Sequence, residues 1–151
     1  MPHIHEKIDF TSEVFIVFES KVLLRFHEKY KIWLSVGGHV ELDEDPVQAA
    51  LREVKEEVGM DVQLVETSKT PVFSESNFKS ILAPAYMNRH RVSPTHEHVT
   101  CVYFARATSN KTVVAPHEQA PLRWFSLAEL DTVELKENVR FYAQEALRVV
   151  K

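Results

Sequence analysis

Two hydrophobic periods run along this chain and divide it into strands and helices. The stretches Glu13 to Glu19 (EVFIVFE) and Lys21 to Phe26 (KVLLRF) are apolar and β-branched with a polar pair between them. They predict two strands joined as a hairpin or bulged ribbon. Asp61 to Glu66, Ala83 to Arg91, Glu97 to Ala107 and Leu122 to Phe125 predict further strands. In the segment from Glu97, Val102 and Phe104 share one face while Cys101, Tyr103 and Ala105 share the other. Burial of its middle on both sides is expected. Helical spacing takes over where Val47, Ala50, Leu51, Val54 and Val58 predict one buried helix face. It returns from about Glu137, where Val139, Tyr142, Ala143, Ala146, Leu147 and Val150 predict a C-terminal amphipathic helix.

Turn and cap residues sharpen these limits. Asp45 is placed to cap the first helix, Pro46 sits where its missing N–H costs nothing, and Gly59 ends the helix. Gly37 and Gly38 predict a tight turn ahead of it. Ser126 and Glu129 have capping-box spacing and predict a single helical turn. Residues 1–12, with the pair His3 and His5, read as a flexible or edge segment. Residues 67–82 show no clear period, and a loop of that length is uncommon in a compact domain unless it has a role. Mixed strands with two main helices predict an α+β layered domain.

Composition narrows the setting. A chain of 151 residues, 44% hydrophobic and 26% charged, fits one globular domain. No apolar run approaches the ~20 residues of a membrane span, and a single cysteine, Cys101, excludes an internal disulfide. A cytoplasmic setting without membrane attachment is expected. The net charge of −4 argues against a nucleic-acid polymer as partner but not against a phosphorylated small molecule drawn to a bound cation. A homodimer is left open.

The chemistry concentrates on the first helix. Glu53, Glu56 and Glu57 stand three and four residues apart, so their carboxylates share one side and repel by a few tenths of a kcal/mol per pair, roughly. Arg52, four residues before Glu56, relieves part of that. The remaining acid suits a hard divalent cation such as Mg²⁺. A lone cluster of this kind is more often a solvated helix face. Here it lies within Gly38-x5-Glu44-x7-Arg52-Glu53-Val54-Lys55-Glu56-Glu57-Val58-Gly59-Met60, which matches every fixed position of the Nudix box. The chain thus resembles a Nudix (MutT-like) hydrolase, with its box at 38–60 inside one domain spanning 1–151.

The resemblance implies a Nudix fold, a mixed β-sheet sandwiched between helices (an α/β/α sandwich). It implies Mg²⁺, with Mn²⁺ as a substitute, held chiefly by Glu53 and Glu57. Glu56 would be a further ligand with base character, and the Gly37 carbonyl would complete the coordination. Arg52 and Glu44 would orient these carboxylates. Many members add one glutamate from outside the box, for which Glu118, six residues before Trp124, is favoured over Glu97. Arg25 and Arg89, from two basic clusters, are candidates to meet substrate phosphates, and Trp33 and Tyr86 to stack on a base. Ser74 stands where members acting on ADP-ribose often carry proline, and no tyrosine follows where those acting on dinucleoside polyphosphates often have one. The expected reaction is cleavage of a nucleoside triphosphate, oxidised ones included, to the monophosphate and pyrophosphate. A nucleotide sugar or other conjugate is the alternative substrate. A nucleotide-sensing module would usually have lost box carboxylates, and an isoprenyl diphosphate isomerase would need a pocket cysteine, a poor fit for Cys101. His96 and His98 form a second H-x-H pair, with no third zinc ligand at convincing spacing.

Overall fold

The computed structural model describes residues 4–151, so His3 lies outside the described residues. The strands are β1 (Ile8–Phe18), β2 (Lys21–His27), β3 (Ile32–Leu34), β4 (Val36–His39), β5 (Val62–Leu64), β6 (Tyr86–Ser93), β7 (His96–Ala107) and β8 (Leu122–Phe125). They form one mixed sheet in the order β3-β2-β1-β7-β5, with β4 on β1, β6 on β7 and β8 on β2. The central pair β1 and β7 is parallel, and the strands flanking it are antiparallel. The predicted hairpin turns through Glu19 and Ser20, both at positive φ, as a two-residue hairpin loop requires.

Strand alternation sorts the core into two layers. Phe15, Val17, Val22, Leu24, Val102 and Phe104 face the C-terminal helices α2 (Leu127–Thr132) and α3 (Glu137–Val149), meeting Leu130, Val139, Tyr142, Ala143 and Ala146. Val14, Ile16, Leu23, Cys101, Tyr103 and Ala105 point the other way, onto Ala50, Val54 and Val58 of α1 (Pro46–Val58). Cys101 to Ala105 are all buried, as the unbroken apolar run of β7 predicts. The result is an α+β sandwich of helix, mixed sheet and helices. Among the described residues no helix is long and apolar enough to cross a membrane.

Helix α1 carries the caps its sequence announces. The Asp45 side chain accepts from the Gln48 amide, the Gln48 side chain accepts from the Asp45 amide, and Gly59 closes the helix at φ 67°. Ser126 and Glu129 make the corresponding reciprocal pair on α2. Leu51 departs from expectation. It is 41% exposed, while Glu53 is buried at 6%, because the glycine strand packs against the Glu53 flank of the helix.

Two N-terminal expectations are corrected. Gly37 and Gly38 do not form a tight turn; they lie in β4, paired with Glu13 and Ser12 of β1, and neither has a positive φ. Their lack of a side chain serves close approach, since a Cβ on Gly37 would fall 2.8 Å from the Cα of Glu13. The segment read as a flexible edge is partly the sheet centre: Thr11 and Ser12 pair with β4 on one side and β7 on the other. Its polar residues tolerate burial because they are bonded. Thr11 Oγ1 lies 2.6 Å from Thr100 Oγ1, and Ser12 Oγ donates to the Pro46 carbonyl at 2.7 Å.

Candidate active site on the first helix

Four residues of chemistry, Arg52, Glu53, Glu56 and Glu57, lie on α1, which packs against β4. Arg52 is the hub. Its Nε donates to Glu44 Oε2 at 3.0 Å and its Nη2 to Glu44 Oε1 at 2.6 Å, a two-pronged pairing available to a planar guanidinium. Nη2 also donates to the His39 carbonyl at 2.9 Å, and Nη1 reaches Glu53 Oε1 at 3.0 Å and Glu56 Oε2 at 3.2 Å. The Arg52 hydrogen bonds hold the Glu44 carboxyl below its usual range. Glu44 thus serves as the anionic anchor of the hub.

Glu57 points to the other side. Its Oε1 accepts from the Gly37 amide at 2.8 Å and its Oε2 lies 3.1 Å from Arg25 Nη1. Burial pushes its carboxyl up to about 7, with Arg25 and the Gly37 amide pulling it down and the charges of Glu53 and Glu118 adding to the rise. Glu53 is raised by burial as well, against the pull of Arg52. Burial raises both carboxyls, and added positive charge beside them would favour their ionised form. Arg25, read from sequence as a phosphate contact, is instead held by acids: it also faces Glu118 Oε2 at 3.6 Å and donates to the Glu118 carbonyl at 3.2 Å. Glu118 ends a short 3₁₀ turn, Pro116–Glu118.

The structure therefore gathers Glu44, Arg52, Glu53, Glu56, Glu57, Glu118, Arg25 and the backbone of Gly37. Five carboxylates stand against two guanidiniums, and the surplus of acid has the donor chemistry of a site for a hard divalent cation. Glu97 is elsewhere. It pairs with Arg89 at 3.3 Å on the β6–β7 hairpin.

A cleft of about 730 Å³ opens on the sheet face turned to α3, lined among others by Glu13, Gly37, Gly38, Arg89, His98 and Tyr142. It begins at the glycine strand that touches Glu53 and Glu57. Arg89 lines it, whereas Trp33 and Tyr86 do not. Trp33 packs edge-on to Phe26 and Phe125, and Tyr86 is wrapped by Phe104, Phe141 and Tyr142 with its hydroxyl donating to Glu145. Both rings fill core space. Glu13, which sequence reasoning missed, lines the cleft; burial raises its carboxyl, against a hydrogen bond from Ser35 Oγ at 2.9 Å. The alternation Asp9, Thr11, Glu13 along one strand face was the available signal.

A rigid helix face crowded with carboxylates and steadied by arginine thus stands beside a cleft, with donor chemistry that suits a divalent cation. The NUDIX domain family model matches residues 11–147, and the chain belongs to the Nudix hydrolase family, whose members cleave pyrophosphate bonds in nucleoside diphosphates linked to another moiety. A NUDIX-family hydrolase from Clostridium perfringens is 36% identical with a TM-score of 0.85, covering 95% of this chain and 98% of that one. A MutT Nudix hydrolase from Burkholderia pseudomallei shares the fold at 23% identity and a TM-score of 0.66, over 97% and 100% of the two chains. A m7GpppN-mRNA hydrolase of Xenopus laevis is 39% identical over 61 residues, which is 40% of this chain and 20% of that relative.

Proposed function

We propose that this chain, as one domain spanning 1–151, hydrolyses a nucleoside triphosphate to the monophosphate and pyrophosphate with Mg²⁺. The observation that carries this reading is the abutment of cleft and acid cluster at Gly37 and Gly38. A nucleoside in the cleft would lay its phosphates toward Glu53 and Glu57. The volume of about 730 Å³ lies within the usual range for small-molecule sites.

Glu53, Glu56, Glu57 and the Gly37 carbonyl would hold the cation, with Glu118 as the carboxylate from outside the box. Once bound, it would neutralise charge on the diphosphate and lower the pKa of a bound water. The protein's own groups do the positioning. Arg52 fixes Glu53 and Glu56 to Glu44 and to β4, and Arg25 fixes Glu57 to Glu118. Burial of Glu53 and Glu57 keeps bulk water from competing for them. Glu118 is favoured over Glu97 as the proton acceptor because it shares Arg25 with Glu57. Arg89 is placed at the cleft wall to meet an anionic substrate. The working setting is the cytoplasm.

The test is product analysis by mass spectrometry across canonical and oxidised nucleoside triphosphates, nucleotide sugars and a capped dinucleotide, each with Mg²⁺. The proposal expects monophosphate and pyrophosphate from one or more triphosphates as the fastest reaction. Faster cleavage of a sugar or cap conjugate would replace the substrate; inactivity across the panel with ligand binding intact would favour a sensing module.

A further inference from the structure

We infer that Asp9, His39 and His98 form a binding site for a divalent transition ion of the Zn²⁺ class, separate from the acidic face of α1. The site follows from strand register. Asp9 of β1 lies opposite His98 of β7, and His39 of β4 lies opposite Thr11, which shares a strand face with Asp9. Three neighbouring strands thus deliver one carboxylate and two imidazoles to one face. The sequence could show only the pair His96 and His98; the remaining partners sit far away in the chain.

Geometry supports a metal. One donor atom from each of Asp9, His39 and His98 lies within 4.8 Å of the other two. His39 Nε2 is 3.3 Å from Asp9 Oδ2. A tetrahedral ion with bonds of ~2.0–2.1 Å sets its ligand atoms roughly 3.3 Å apart. The His39 and His98 rings stand 5.0 Å apart at 84°, an angle that lets two imidazoles converge on a point without stacking.

The surroundings orient the carboxylate as a ligand. Asp9, 1% exposed, accepts from the His5 amide at 2.7 Å, and its Oδ2 lies 3.1 Å from His96 Nε2. His96 in turn holds the Glu6 carbonyl through Nδ1 at 3.0 Å. A buried carboxylate braced by outer hydrogen bonds is the usual support of a metal ligand. Two imidazoles and one carboxylate select a late first-row ion, whereas the all-oxygen cluster on α1 selects Mg²⁺.

The ion would tie β4 to β1 and β7 at the cleft wall, since His39 and His98 both line it. His39 also follows Gly38 and gives its carbonyl to Arg52. The inference stands whatever nucleotide the cleft takes.

The test is equilibrium dialysis against Zn²⁺ with Mg²⁺ in excess, with bound zinc read by mass spectrometry. About one equivalent is expected in the wild type and in Glu57→Gln, with affinity falling more than about 100-fold in His98→Gln and His39→Gln. Thermal melts should rise with Zn²⁺ in the first pair and stay unmoved in the second. Imidazole ¹⁵N spectra of the wild type, which need no variant to fold, should show the His39 and His98 ring nitrogens shifting on Zn²⁺ addition. Zinc lost in Glu57→Gln but kept in His98→Gln would overturn the inference. So would no binding at micromolar zinc, or ring nitrogens that do not move.

Discussion

Replacing Gly38 with alanine separates what the glycine strand does for catalysis from what it does for folding. The added Cβ would lie 2.5 Å from the Cδ of Glu53, where ordinary contact begins near 3.4 Å, so that carboxylate must retreat by about 1 Å. The obstacle is the far end of a flexible side chain, and Gly38 has no positive φ to lose. Stability should therefore change by no more than about 1 kcal/mol. Metal geometry is less forgiving, because ligand distances tolerate only ~0.2 Å, and a 1 Å misplacement costs roughly 100-fold in rate. Gly37→Ala makes the contrast. Its Cβ would press on the backbone of Ser12 and Glu13, so β4 must part from β1 at roughly 1–3 kcal/mol. Thermal melts and Mg²⁺-dependent turnover of both variants decide the matter. A Gly38→Ala enzyme with wild-type turnover and metal affinity would refute the reasoning.

Other substitutions probe the same network. Glu57→Gln should abolish most turnover while steadying the metal-free protein above neutral pH. The Glu57 carboxyl is raised from 4.5 to about 7, so stability present below pH 4.5 is lost as pH rises through 7, at most about 3 kcal/mol. Chemical denaturation of the metal-free protein at pH 5 and pH 8 should show the wild type falling more than Glu57→Gln; equal losses would contradict the assignment. Arg52→Lys cannot reproduce the two-pronged grip on Glu44 together with the bonds to Glu53 and the His39 carbonyl. Steady-state kinetics should show kcat down by about 10- to 100-fold with KM little changed. Glu118→Gln should lower kcat by at least about 10-fold, whereas Glu97→Gln, whose carboxylate pairs with Arg89 and not with the α1 cluster, should keep kcat within about 2-fold. The reverse order would move the outer carboxylate to Glu97.

Much of this architecture was legible because its signals are local. The caps at Asp45, Gly59 and Ser126 and the helical spacing from Val139 depend on residues within a turn or two. The acid cluster was equally visible, since helical geometry alone puts Glu53, Glu56 and Glu57 on one side. What stayed hidden depends on strand register. Gly37 and Gly38 read as a turn because glycine's commonest use is conformational freedom; here it serves close approach to β1 and to Glu53. The segment holding Asp9 and Ser12 reads as flexible or edge because their bonding partners, His96 and the Pro46 carbonyl, lie far along the chain. Arg25 read as a phosphate contact for the same reason. Trp33 and Tyr86 looked available for stacking, but their neighbours in space are other aromatics. The helical period places Leu51 inward, although β4 packs on the adjacent flank.

The most direct measurement is the anomalous scattering of Mn²⁺ in a crystal grown with Mn²⁺ and a non-hydrolysable nucleotide. The account predicts density within bonding distance of Glu53, Glu56 and Glu57, with the nucleotide's phosphates between that ion and the cleft at Gly38. Ordered nucleotide with no ion among those three carboxylates would contradict it.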